Sequence, residues 1–215
     1  MKKRLLKYSL VFLIGFPLVL LILFLNLFIK IKFVRFNPSR IGHLSFDAEF
    51  YLRMKKIENI FLFASYSNDQ ICNLFLDKMI KRQFIFSNMF NILHTANKII
   101  TKDKYVFIET ATHLNPDYTF APSRNLIKMS TQLEFLENEN SEGREFLNKI
   151  NPENKKVITM IVRDSAYLPA LDHHSYRDCD INNMIKPINF LIKKNYFVIR
   201  MGKIMNNRIN LKNKY

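Results

Sequence analysis

The chain has 215 residues, of which 48% are hydrophobic, and a formal net charge of +15. This length allows one or two modest domains, and so apolar a composition excludes a disordered chain. The charge indicates an anionic partner, such as lipid headgroups, phosphorylated substrates or nucleic acid. We expect no nucleic-acid partner, since the sequence has no zinc-finger spacing, RNA-binding aromatic signature or arginine-rich recognition helix.

The first predicted element is a membrane anchor helix in residues 1–30. Residues 10–29 form a nearly unbroken apolar run, which at about 1.5 Å per residue is long enough to cross roughly 30 Å of hydrocarbon. Basic residues follow where a cleavable signal would need small ones, which favours an anchor. Because basic residues lie on both sides of the run, a helix lying in the inner leaflet is the alternative.

An α/β domain is predicted in residues 31–150. Apolar spacing and cap residues predict these elements in order: a strand at Ile31–Asn37, a helix from about Leu44 to Lys55, a strand at Asn59–Ser65, a helix capped by Asn68 or Asp69, weaker strands at Gln83–Phe86 and Tyr105–Ile108 around a helix near residues 88–100, and a helix at 131–150.

The last of these helices leads to the predicted domain boundary. Thr131 and Glu134 have capping-box spacing, and a break is expected at Ser141–Gly143. Asn151–Glu153 then forms a polar turn. We place the boundary between two domains at this turn.

Residues 155–215 begin with a strand, helix and strand. Val157–Val162 is a short β-branched run typical of a buried strand. Asp180 is the predicted cap of a helix with apolar residues every three or four positions, and Asn195 ends that helix in the left-handed conformation. Tyr196–Ile199 resumes strand character. A unit of this length makes a right-handed parallel crossover.

Arginine follows or ends each of these strands, as Arg163 and as Arg200 in the segment that ends at Gly202. In an open parallel sheet, ligands bind beyond the carboxyl ends of the strands, so both arginines are expected to point at one site. The guanidinium fork suits a phosphate. An ion pair of Arg163 with Asp164 or Asp172 is the structural alternative.

Four sequence motifs stand in a distinctive order: Arg40-Ile-Gly-His-Leu44, Val162-Arg-Asp-Ser-Ala-Tyr167, His174-Ser-Tyr-Arg-Asp-Cys-Asp180 and Val198-Ile-Arg-Met-Gly202. In order and spacing they resemble a largely uncharacterised bacterial family of glycosyltransferases. The members of that family resemble two-domain sugar transferases of the GT-B type.

The resemblance implies an α/β fold in which the N-terminal membrane helix is followed by a Rossmann-like, GT-B-type parallel-sheet domain on the acceptor side. Residues 155–215 would be the incomplete beginning of a C-terminal nucleotide-sugar-binding domain. The implied reaction moves a sugar from a nucleotide-sugar donor to a cell-surface polysaccharide or glycolipid, without a metal or other cofactor. The partners are then membrane lipid, donor and acceptor. The implied location is the bacterial inner membrane, with the α/β part on the cytoplasmic side. A complete donor domain needs further strands, so truncation is expected, with a C-terminal half that is either missing or separately encoded.

The first motif supplies the candidate catalytic residue, His43. An imidazole titrates near neutrality, so His43 can act as general base on an acceptor hydroxyl, or it can merely cap or pack a helix. Gly42 is expected to permit a sharp strand-to-helix turn. Arg40 binds either an acidic acceptor or a lipid headgroup.

The later motifs supply the remaining candidates for donor binding. Arg163, followed by Asp164, would hold the diphosphate and neutralise the leaving group. Tyr167, Tyr176 and Arg177 would stack on or bond to a base and sugar, or else fill a small core of the loop. We expect no metal at residues 172–174, because adjacent side chains diverge and no further ligand has a recognised spacing.

Two other functions stay open. One is a non-catalytic, membrane-anchored remnant or binding protein that recognises an anionic sugar or lipid, in which replacing His43 changes nothing. The other is a peripheral membrane protein whose basic surface alone matters, so that lysine can replace its arginines.

Overall fold

The computed structural model describes residues 9–102, 107–108, 128–167, 172–202 and 204–209. The chain divides into two units, Met1–Phe135 and Leu136–Tyr215, and each contains a parallel sheet. The predicted α/β class is therefore confirmed. The sequence places the domain boundary at the turn of residues 151–153, whereas the two units divide between Phe135 and Leu136.

The first unit contains a four-stranded parallel sheet in the order β3-β2-β1-β4. Its strands are β1 at Ile31–Phe36, β2 at Phe61–Tyr66, β3 at Ile85–Phe86 and β4 at Phe107–Ile108. Tyr105, from the predicted fourth strand, lies outside the described residues. The strands predicted at 31–37 and 59–65 are confirmed, since β-branched and aromatic residues suit a buried pleated surface.

The described part of the first unit places four helices beside this sheet: α1 at Phe16–Leu25, α2 at Ile41–Glu58, α3 at Leu74–Gln83 and α4 at Phe90–Thr101. Alternate strand residues point to opposite faces, and each face has its own core. Val34 and Phe36 pack with α2 and α3 residues, whereas Ile31 and Phe33 pack with residues of α1 and α4. Apolar side chains thus cover the sheet on both sides, as buried parallel strands require.

The apolar run at the N-terminus forms two short helical pieces. A π-helical turn at Val11–Gly15 precedes α1, which ends where Asn26 donates from Nδ2 to the Ile22 carbonyl. Asn26 Oδ1 also accepts from the Ile31 amide at 2.8 Å and so directs the chain into β1. Within the described residues, none of the helices has both the length and the apolar character needed to cross a membrane. The structure does not support the expected membrane-spanning helix.

Helix ends in the first unit follow local side-chain chemistry. Asn73 caps α3 by accepting from the Leu76 amide at 2.9 Å, so the cap expected at Asn68 or Asp69 is wrong. Asn68 Oδ1 instead accepts from the Gln70 amide within a short turn. Asn59, with φ of 52°, ends α2 in the left-handed conformation, for which asparagine is well suited.

The second unit is built from α5 at Glu137–Ile150, β5 at Lys156–Ile161, α6 at Ile185–Lys193 and β6 at Tyr196–Met201. β5 and β6 pair in parallel, so the predicted crossover is confirmed. Asp180 Oδ1 accepts from the Asn182 amide at the start of a 3₁₀ turn that leads into α6. Asn195 follows α6 with φ of 65°, as predicted.

Helix α5 begins later than its sequence pattern indicates. The helix starts at Glu137 rather than Thr131, and Glu139 Oε2 accepts from the Leu136 amide at 3.0 Å. The predicted break at 141–143 is wrong, since α5 is continuous there. Gln132 and Leu133, which the prediction places in the helix, lie before it. The carboxylate of Glu49 accepts from the amides of both residues.

Candidate functional site

The two arginines of the second sheet differ in their position along the strands. Arg200 lies within β6 opposite Met160, and Ile161 lies opposite Met201. Arg163 is therefore three positions further along the chain than the residue opposite Arg200, which corresponds to about 10 Å along a regular strand. The expectation that the two arginines hold equivalent strand-end positions is wrong.

Each arginine lies against an aspartate. Arg163 Nε is 3.1 Å from Asp178 Oδ1, and Arg200 Nη2 is 3.8 Å from Asp164 Oδ2. Exposed fractions are 23% for both side chains of the first pair, and 12% and 18% for Arg200 and Asp164. Arg163 thus forms an ion pair, as the structural alternative requires, but with Asp178, which the sequence did not single out as its partner. At this degree of burial the charges interact more strongly than in a surface pair.

A short downstream segment, Asn206–Asn207, contacts the same groups. The Asn206 amide donates to Asp164 Oδ2 at 2.9 Å, and its Nδ2 donates to Ser165 Oγ at 2.9 Å. Arg200 Nη1 donates to the Asn207 carbonyl at 2.6 Å. Asp164 Oδ1 accepts from the Ala166 amide. The carboxyl edge of this sheet is therefore a polar cluster held together by Asp164.

The loop between β5 and α6 brings a second arginine-containing group. Arg177 Nε donates to Tyr176 Oη at 2.9 Å, and its guanidinium lies 5.1 Å from the centre of the Tyr176 ring. Tyr176 is 73% exposed, so its ring can offer a face to a planar ligand. The Cys179 amide donates to the Arg163 carbonyl and joins this loop to the end of β5. Tyr167 ends a 3₁₀ turn at Ser165–Tyr167.

Gly202 follows β6 directly and has φ of 138°. Side chains rarely adopt this conformation, so a glycine is required to turn the chain after the strand. The turn precedes the segment that contacts Arg200. Gly202 thus has a backbone role beside the polar cluster.

The residues of the first motif lie together in the first unit. Arg40 directly precedes α2 in an extended conformation, and Gly42 and His43 belong to the first turn of that helix. Asn37 Oδ1 accepts from both the amide and the hydroxyl of Ser39 and so shapes the turn from β1 to α2. Arg40 and His43 are half-buried at the carboxyl end of β1, where parallel sheets place their ligands.

The proposed turn function of Gly42 is not supported by the structure. Its φ lies outside the left-handed region, and a Cβ added to it meets nothing within 4 Å. Gly42 is exposed inside a regular helical turn. The chain therefore enters α2 through Asn37 and Ser39, without conformational help from glycine.

Sequence reasoning missed a polar group at the end of β2. Tyr66 Oη donates to Asp77 Oδ1 at 2.6 Å, and Lys81 Nζ donates to Asp77 Oδ2 at 2.9 Å. Burial, followed by the Asp77 contact, raises the pKa of Tyr66 well above its ordinary value. The spacing of Asp77 and Lys81 by four residues was a signal for their pairing on one helix. Nothing in the sequence marks Tyr66 as their partner.

A cavity of about 550 Å³ lies at the opposite end of the first sheet. Lys55 and Lys56 from the end of α2 contribute to its lining, with Phe61 and Ile85 from the starts of β2 and β3. Among the residues that line it, none was expected from the sequence to bind a ligand. It therefore adds no support to the predicted site.

Metal binding finds no basis in the described side chains, where no group of three or more His, Cys, Asp or Glu residues could hold an ion. Comparison with known proteins finds no matching family model, curated protein or solved structure. The function is therefore argued from the geometry and from the motifs.

Proposed function

We propose that this chain takes part in sugar transfer, and that it binds the phosphates of a nucleotide-sugar donor at the carboxyl edge of β5 and β6. The observation that carries the proposal is the cluster in which Arg200 contacts Asp164, the residue next to Arg163. Parallel strands joined by a helix bind their ligands at this edge. The acceptor would be a cell-surface polysaccharide or a glycolipid.

The cluster suits a phosphate because its donors are already oriented. Arg200 uses one guanidinium nitrogen for the Asn207 carbonyl and places another 3.8 Å from Asp164. An incoming phosphate oxygen would replace the carbonyl with a charged acceptor, and a charge-assisted hydrogen bond is roughly twice as strong as a neutral one. Arg163 would neutralise charge that develops on the leaving diphosphate.

The acceptor side of the reaction is assigned to the first unit. His43, in the first turn of α2, would take the proton of the acceptor hydroxyl. Arg40 would contact an acidic group of the acceptor. Gly42 has no part in this version of the proposal.

A second function is favoured by the ion pairs themselves. Arg163 and Arg200 face Asp178 and Asp164, so two formal positive charges are matched by two negative ones. Such pairing lowers the attraction for a doubly charged diphosphate compared with free arginines. A non-catalytic protein that binds an anionic sugar or lipid headgroup with modest affinity is consistent with it.

Calorimetric titration of the full chain with UDP, GDP and inorganic pyrophosphate tests the donor site, followed by the corresponding nucleotide sugars. We expect one diphosphate to bind, and Arg200→Ala or Arg163→Ala to weaken that binding about 10- to 100-fold, as expected for the loss of a hydrogen bond to a charged group. The diphosphate affinity of Arg200→Lys should lie between that of the unsubstituted chain and that of Arg200→Ala, because lysine keeps the charge but lacks the guanidinium fork.

Arg144→Ala is the matched control, since Arg144 lies on α5 in the same unit, is 73% exposed and is 4.0 Å from Glu137. Circular dichroism shows whether each variant is folded. Unchanged binding by folded Arg163→Ala and Arg200→Ala would refute the donor site.

Catalysis is tested separately from binding. His43→Asn should leave diphosphate affinity unchanged and reduce sugar transfer on the order of 100-fold or more. Binding that depends on the arginines, without transfer to any polysaccharide or glycolipid acceptor, would instead support the non-catalytic function.

A further inference from the structure

The N-terminal segment presents an apolar surface to its surroundings. Within residues 12–28, seven leucine and phenylalanine side chains are at least half exposed: Phe12 63%, Leu13 76%, Leu20 57%, Leu21 50%, Phe24 58%, Leu27 74% and Phe28 73%. We call these residues the apolar face. A phenylalanine side chain offers roughly 150–250 Å², so the apolar face amounts to several hundred Å². Monomeric proteins rarely expose a contiguous patch of that size without a partner.

The opposite side of the same segment is fixed to the first unit. Val11, Gly15 and Val19 are buried, and a Cβ at Gly15 would come within 2.9 Å of the Ala96 Cβ on α4. The backbone at Gly15 is thus in close contact with helix α4. The segment is held along α4, and its apolar face is directed away from the core.

The sequence that flanks the apolar face is basic, and Lys32 Nζ lies 4.0 Å from Glu58 Oε2. The first acidic residue in the chain is Asp47, and the preceding residues include eight basic ones: Lys2, Lys3, Arg4, Lys7, Lys30, Lys32, Arg35 and Arg40. Lys30 is exposed and follows the face directly. A segment whose middle is apolar and whose flanking sequence is basic suits a partner that is apolar inside and anionic at its surface. An anionic lipid bilayer has that chemistry.

We propose that the apolar face lies in the interfacial layer of an anionic membrane, while Val11, Gly15 and Val19 stay packed on α4. The leucine and phenylalanine side chains enter the boundary between headgroups and acyl chains, and basic residues next to the apolar face, such as the exposed Lys30, contact the headgroups. The attachment is peripheral: the segment lies on the membrane and does not cross it. This inference is independent of sugar transfer.

A second copy of the chain is a poorer occupant for the same surface. Pairing two apolar faces would bring two sets of basic residues together without an acidic residue from either N-terminal segment. Like charges across an interface oppose association. Anionic lipid, in contrast, supplies the missing negative charge.

The chain contains no tryptophan, so one introduced tryptophan reports on its own position. Phe24→Trp places the reporter in the apolar face, and Phe146→Trp places it on α5 at a residue that is 63% exposed. With vesicles of phosphatidylcholine and phosphatidylglycerol, the fluorescence of Phe24→Trp should shift to shorter wavelength and be quenched by brominated phosphatidylcholine. The fluorescence of Phe146→Trp should change in neither respect. Equal quenching of both reporters, or of neither, overturns the proposal.

Vesicle flotation measures what the apolar face contributes to binding. Leu20→Glu with Leu27→Glu should lower the partition coefficient about tenfold or more, because two leucines would no longer enter the bilayer. Phe146→Glu should leave it within about twofold of the unsubstituted chain. Both leucines are exposed, so the double variant should fold, which circular dichroism checks.

Three results would contradict the proposal. Binding that is abolished by high salt and unaffected by the double variant would show a purely electrostatic attachment. A dimer that the double variant dissociates, without vesicle binding, would identify a second copy as the occupant. Retention in vesicles after an alkaline carbonate wash would show integral insertion.

Discussion

The two parallel sheets of this protein differ in how they are covered. In β1 of the first unit, four residues are buried, Ile31, Phe33, Val34 and Phe36. In β5 and β6, which are fully described, none of the strand residues is buried, and Ile161 is 82% exposed. The same strand-helix-strand connection therefore accompanies a packed core in the first unit and a sheet with a polar carboxyl edge in the second. Hydrophobic burial stabilises the first sheet, while hydrogen bonds and ion pairs hold the edge of the second.

The largest expected effect comes from truncating a phenylalanine in the covered sheet. Phe36 is fully buried, with its ring centre 5.2 Å from that of Phe84. Phe36→Ala should lower the free energy of unfolding by about 3–5 kcal/mol, because it removes apolar contacts and leaves a cavity. Urea unfolding followed by far-ultraviolet circular dichroism measures the change.

The matched substitution in the second unit is Phe190→Ala. Phe190 lies on α6 and is 60% exposed, so the loss should stay within about 0.5 kcal/mol. A comparable loss of unfolding free energy at both positions would mean that the second sheet is covered as fully as the first.

Glycine substitutions compare close packing in the two units. Gly15→Ala should destabilise the first unit by about 1–3 kcal/mol, since the new methyl group would meet Ala96 at 2.9 Å and Ile92 at 3.2 Å. Gly143 lies inside α5 with nothing within 4 Å of an added Cβ. Gly143→Ala should stabilise by about 0.5–1 kcal/mol through helix propensity alone. Opposite signs in thermal unfolding are the expected result, and stabilisation by both would mean that the π-helical turn at Gly15 is not closely packed on α4.

Local patterns predicted the strands and the crossover helix because their causes are local. β-branched runs gave β5 and β6, Asp180 gave the helix cap, and Asn195 gave the left-handed residue after α6. Each of these depends on backbone preferences within a few residues. Fold class followed from the alternation of such elements.

The parts that could not be predicted depend on residues far apart in the chain. Glu49 holds the amides of Gln132 and Leu133, and the late start of α5 accompanies this contact. The offset between Arg163 and Arg200 depends on strand register, which the sequence specifies only weakly where none of the strand residues is buried. The Asn207 contact with Arg200 carries no sequence signal at all.

A buried tyrosine in the first unit and an exposed one in the second allow the same comparison for polar contacts, with smaller expected losses of unfolding free energy. Tyr66 is 3% exposed and donates to Asp77, whereas Tyr176 is 73% exposed and accepts from Arg177. Tyr66→Phe should cost about 1–2 kcal/mol near neutral pH through loss of a hydrogen bond to a charged acceptor. Tyr176→Phe should cost less than about 0.5 kcal/mol.

The pH dependence separates this hydrogen bond from simple packing. Burial raises the pKa of Tyr66 above its ordinary value of 10.0, so the folded chain holds the phenolic proton more tightly than the unfolded chain does. The stability that this pKa difference contributes is therefore complete below the ordinary value of 10.0. Above it only the unfolded chain releases the proton, and the contribution declines by up to about 1.4 kcal/mol per pH unit. Urea unfolding between about pH 9 and pH 10.5 gives the free energy of unfolding at each pH. This free energy should fall less steeply with rising pH for Tyr66→Phe than for Tyr176→Phe. Parallel slopes would mean that the Tyr66 hydroxyl is as accessible to water as that of Tyr176, and that the polar contacts of the first unit are no more protected than those of the second.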